Sequence, residues 1–206
     1  MSVVEGPKSA NLIERVQNIL LKPATEWDAI EAEPASIQGL YVGYACILAA
    51  IPAVASLLGA LLISHWLIVP ALISAVVSYG LALVGVFVIA FIINVLAPSF
   101  GAQSNQIQAL KLVIYSNTAS WVAGVFLIIP FVGGLLAGLG GLYSLYLMYL
   151  GLPKLMKSPA DKTVGYFIVS LVVAIVFYVV VGIILGIFAA MAVVGAAATG
   201  AAALSN

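Results

Sequence analysis

The stretch Phe87-Val88-Ile89-Ala90-Phe91-Ile92-Ile93 decides the fold class. It is apolar on every side, whereas a strand of a membrane barrel alternates lipid-facing and polar lumen residues. Outward from it the pattern persists. No Asp, Glu, Lys or Arg lies between Glu33 and Lys111, none from Leu112 to Pro153, and none from Thr163 to Asn206. The chain is 65% hydrophobic and 7% charged, with a mean hydropathy of +1.26. A soluble domain of this length would not stay in solution with so little charge. In lipid every backbone polar group must find a partner inside the segment, so helices are the default. Each needs roughly 20 residues to cross a hydrocarbon layer of ~30 Å. The expected fold is all-α, a polytopic membrane bundle of five transmembrane helices with an amphipathic N-terminal helix.

Proline and glycine divide the apolar runs into spans at 39–63, 67–97, 111–129, 131–152 and 164–194. The uncharged run from 112 to 152 is too long for one span, and Pro130 with Gly133 and Gly134 marks its break. Three parts follow: a polar N-terminal segment (1–37), the five-helix domain (38–194), and an Ala/Gly-rich tail (195–206) expected to fray.

The charges orient the bundle. The seven basic residues are Lys8, Arg15 and Lys22 before the first span, Lys111 before the third, and Lys154, Lys157 and Lys162 between the fourth and fifth. All fall on alternate connections, the positive-inside pattern. The N-terminus is therefore expected in the cytoplasm and the C-terminus across the membrane. An even number of spans would break the alternation. Tyr41, Tyr44, Tyr115, Tyr146, Tyr149 and Tyr166 lie near the basic ends, as an interfacial aromatic belt would. An acidic, amphipathic stretch precedes the first span, which does not read as a signal peptide.

In the N-terminal segment, Asn11 followed by Glu14 resembles an N-cap pair. Leu12, Val16, Ile19 and Leu20 share one face of the helix that follows, with Glu14, Asn18 and Lys22 turned away. Lys22-Pro23 ends that helix, and Thr25 can cap a second short one. The apolar face can pack on the bundle, lie in headgroups or dock a partner.

Two groups of residues are candidates for a polar intramembrane site. One is Asn94 with Lys111, Tyr115, Ser116, Asn117, Thr118, Ser120 and Trp121. Such residues mark a functional site by default, or simply bond neighbouring helices. Lys111, at the start of its span, can snorkel to the headgroups as an anchor. The other group is Tyr79, Tyr143 and Tyr178, at mid-depth with Trp121, which either converge on a cavity or form an aromatic core. The pairs Gly39/Gly43, Gly134/Gly138 and Gly182/Gly186 allow close helix approach and read as packing within the chain.

Much is not expected. Cys46 is the one cysteine and His65 the one histidine, so no zinc framework or intramolecular disulfide is expected. No nucleophile–base pair and no intramembrane carboxylate is present, so no catalytic residue, cofactor or metal is assigned. Zero net charge does not suggest nucleic acid.

Several motifs carry a resemblance. They are Arg15-Val16-Gln17-Asn18-Ile19-Leu20-Leu21-Lys22-Pro23-Ala24-Thr25-Glu26-Trp27, Ile30-Glu31-Ala32-Glu33-Pro34, Tyr41-Val42-Gly43-Tyr44, Gln108-Ala109-Leu110-Lys111-Leu112-Val113-Ile114-Tyr115-Ser116, and Leu145-Tyr146-Leu147-Met148-Tyr149-Leu150-Gly151-Leu152-Pro153. Together the chain resembles the bacterial branch of the Yip domain family. The resemblance implies a five-helix domain with a cytoplasmic N-terminus, in a bacterial inner membrane. Eukaryotic members bind prenylated small GTPases. This chain has Ala97-Pro98-Ser99-Phe100-Gly101 where that branch has an acidic Asp-Leu-Tyr-Gly-Pro-type motif, so GTPase binding is not carried over. The expected role is non-enzymatic: organising the lipid bilayer, copies of itself or other membrane proteins. The alternative is a small-solute or lipid transporter or channel using the polar site.

Overall fold

A computed structural model describes residues 11–63 and 68–204. His65 and the end of the tail lie outside them. The described residues are helical almost throughout, with no strand among them. Five helical spans, Ile37–Leu62, Ala71–Phe100, Gln106–Ile128, Gly133–Met156 and Ala160–Ile183, are long and apolar enough to cross a membrane. The chain divides into two units, one through Phe167 and one from Ile168.

Two short helices form an N-terminal hairpin. α1 (Leu12–Leu21) starts where the Asn11 side chain accepts the Glu14 N–H at 2.9 Å. It stops at Lys22, and Pro23 opens α2 (Pro23–Ala32), where its missing N–H costs nothing. Thr25 therefore lies inside α2, donating its hydroxyl to the Lys22 carbonyl. α3 (Ile37–Leu40), capped by Ser36, leads through a π-helical turn, Tyr41–Ala45, into α4 (Cys46–Ile63). α5 (Ile68–Leu96) carries Pro70 in its first turn, where proline is tolerated, and ends in a 3-10 turn, Ala97–Phe100.

The third span differs from expectation at its start. Asn105 accepts the N–H groups of Ile107 and Gln108, so α6 (Gln106–Ser116) begins five residues before Lys111. α7 (Thr118–Ala123) and a 3-10 turn, Gly124–Ile128, complete it. The break expected at Pro130 is there, with Phe131 in the left-handed region (φ 68°). α8 (Gly133–Met156) then runs through Pro153, and α9 (Ala160–Leu204) continues ten residues past the expected end. Alanine is the strongest helix former, which favours that extension.

In the first unit α6 is the core. Every residue from Ala109 to Ser116 is buried, because α2, α3, α5 and α8 surround it (α2 through Lys111). α4 packs on α5, and α7 on α8. The beginning of α9 is held to α5: Tyr166 donates its hydroxyl to the Ile93 carbonyl and stacks on Phe100. The second unit is the remainder of α9.

The glycine motifs do not mediate packing in the first unit. Gly43, Gly134 and Gly138 face open space. Close approach occurs instead at glycines outside those pairs. A Cβ on Gly140 would meet Ala123 Cβ at 2.2 Å, and one on Gly151 would meet the Trp27 ring at 2.7 Å.

Candidate functional site

The densest polar constellation in the first unit sits where the N-terminal hairpin meets α6. α1 contributes Arg15, on the same face as buried Ile19 four residues on. α2 contributes Glu26 and, at its C-terminal cap, Glu33. The Arg15 fork spans both: Nη1 donates to Glu26 Oε1 at 2.5 Å and Nη2 to Glu33 Oε1. Arg15 is only 3% exposed. Burial works against its charge, but the hydrogen bond to Glu33 and the charges of Glu33 and Glu26 outweigh that and raise its pKa. Its guanidinium carbon lies 5.6 Å from the centre of the Tyr115 ring, a cation–π distance. Tyr115 meets Tyr44 edge-on at 4.7 Å, and the Tyr44 hydroxyl bonds the Thr118 hydroxyl at 2.8 Å.

Lys111 closes the same junction. It is 2% exposed, and its Nζ donates to the carbonyls of Ile30 at 2.7 Å and Glu33 at 2.5 Å. Those carbonyls end α2 and have no helical N–H to receive. The expected wet anchor is thus a buried cap for a neighbouring helix. The reason is the early start of α6, which carries Lys111 inward under α2. On the rim, Lys154 pairs with Asp28 at 2.5 Å and Lys157 with Glu31 at 2.6 Å.

The other candidates are scattered. Asn117 donates to the Val113 carbonyl of its own helix. The Asn94 Oδ1 is buried without a hydrogen-bond partner, as is the Ser116 hydroxyl. Trp121 is buried in α7. Tyr79 donates to the Cys46 carbonyl at 3.1 Å, and Tyr143 to the Leu20 carbonyl at 2.7 Å. Tyr178, in the second unit, is half exposed with its ring against Phe177. The hydroxyls of Tyr79 and Tyr143 are thus engaged by different helices, α4 and α1.

Arg15, Glu26 and Glu33 were missed as a site. A signal existed: Glu26, Ile30 and Glu33 recur at helical spacing beside Trp27, placing two carboxylates on the apolar face of α2. Among the described residues no group of His, Cys, Asp or Glu could hold a metal ion. A groove of about 360 Å³ between α4 and the 3-10 turn at 124–128 is lined only by apolar side chains, including Ile47, Val54, Leu58 and Val125.

The Yip1 domain family model matches residues 18–184, from the end of α1 to the middle of α9. The chain belongs to the Yip1 domain family. The Yip1 match includes Glu26, Glu33, Lys111 and Tyr115, while Arg15 lies three residues before it. No match is found among the curated proteins or the solved structures compared.

Proposed function

We propose that this Yip1-domain protein is a non-enzymatic organiser of the bacterial inner membrane, acting on lipid, on itself or on other membrane proteins. One observation carries the reading. Arg15, Glu26, Glu33, Lys111 and Tyr143 bond one another or backbone carbonyls of the same chain, so they act as a clasp holding α1 and α2 on the bundle. A transport site needs polar groups left available to a passing solute. The clasp also gathers Arg15 and Lys111 with rim lysines 154 and 157 at one end, supporting a cytoplasmic N-terminus.

A second reading, passage of a small neutral solute, is favoured by Asn94 and Ser116, whose buried polar atoms lack hydrogen-bond partners. Stopped-flow light scattering on proteoliposomes challenged with glycerol and urea separates the two. The organiser reading expects permeability equal to that of protein-free liposomes. Faster solute entry, abolished by Asn94→Leu, would replace it with the transport reading.

A further inference from the structure

We propose that α1 is a two-sided interfacial helix, clasped to the bundle on one flank and seated on the other in the lipid leaflet beside it. At about 100° per residue, Ile19, Leu12, Val16, Leu20, Ile13 and Leu21 trace an apolar arc roughly 200° wide, interrupted by Gln17. The bundle covers only part of it. Ile19 is fully buried beside Arg15, whereas Ile13 is 70% and Leu21 78% exposed. Glu14, Asn18 and Lys22 occupy the remaining flank, so the open apolar strip borders a polar one, the pattern of a helix lying in a membrane interface.

The occupant follows from where α1 sits. Its Leu20 carbonyl receives the Tyr143 hydroxyl at 2.7 Å, and α1 packs on α7. Tyr143 lies within the fourth span, next to Leu142 and one turn from Leu139 and Tyr146, which are 65%, 57% and 50% exposed. Those side chains are the lipid-facing surface of that span. The Leu20 bond brings the end of α1 against this span, and the open strip carries no charge that a protein partner could read. The proposal requires only a bundle embedded in a bilayer and holds whether the protein organises or transports.

The test uses the full chain with Cys46→Ser, reconstituted in phosphatidylcholine vesicles. Single cysteines replacing Ile13, Gln17 or Leu21 are labelled with an environment-sensitive nitrobenzoxadiazole dye. Asp161→Cys serves as the aqueous control and Leu139→Cys as the lipid control. All three strip positions are expected to be quenched several-fold more by doxyl-labelled lipid than by aqueous iodide. Gln17→Cys removes no apolar side chain, so it reads the strip even where the other two disturb α1. Iodide access like that at Asp161→Cys would overturn the proposal by placing the strip in water. Shielding from both quenchers would overturn it too, by showing that protein covers the strip.

Discussion

Arg15 illustrates how much one side chain can decide. It is the basic partner of one buried carboxylate, Glu26, and one partly buried, Glu33, and taking it away leaves Glu26 unpaired in a low-dielectric interior. Arg15→Ala is expected to destabilise the fold by about 3–5 kcal/mol, read as a lower thermal midpoint in detergent. Arg15→Lys should fall between the two, because a single ammonium cannot fork across Glu26 and Glu33. A midpoint unchanged in Arg15→Ala would show that the clasp contributes nothing. Lys111 makes the complementary case. Its position suggested a headgroup anchor for which arginine would serve equally well. Since its amine is enclosed by the Ile30 and Glu33 carbonyls, Lys111→Arg should lower stability measurably. Lys111→Met should cost about 1–3 kcal/mol by leaving those carbonyls unpaired. An arginine variant as stable as the parent would restore the anchor reading.

At the scale of elements, the contact between α2 and α8 depends on Gly151. A Cβ there would lie 2.7 Å from the Trp27 ring and 2.8 Å from Leu112 Cδ1, both on fully buried residues. Gly151→Ala is expected to push α2 outward at about 1–3 kcal/mol, seen as faster hydrogen exchange over residues 23–32. Gly141→Ala on the same helix meets open space and should be neutral or slightly stabilising. Equal exchange in the two variants would deny Gly151 its role. The helices themselves were largely legible: the Asn11 cap, the stop at Lys22-Pro23 and the break at Pro130 are local events with local causes. The start of α6 was not, because Asn105 lies in a polar loop where several residues could cap and hydropathy alone favoured a later start. The close-packed glycines were also illegible, since spacing records that an approach is permitted and not which neighbour makes it.

At the scale of the molecule, the prediction is topological. With Cys46→Ser and single cysteines at 157 and 205, a membrane-impermeant maleimide should label the two from opposite sides of an oriented membrane. Labelling from one side would contradict the proposed orientation. The membrane class, the five spans and their order followed from composition and proline placement, because crossing lipid imposes a length and a polarity on each segment separately. Only the tertiary structure decided what the polar residues do. Lys111 and Arg15 meet α2 across long sequence separations, and Tyr143 reaches the end of α1. A side chain's depth can be counted along its own helix, but its partner depends on how that helix is rotated and which neighbour it faces. Those choices are made by packing the whole chain at once.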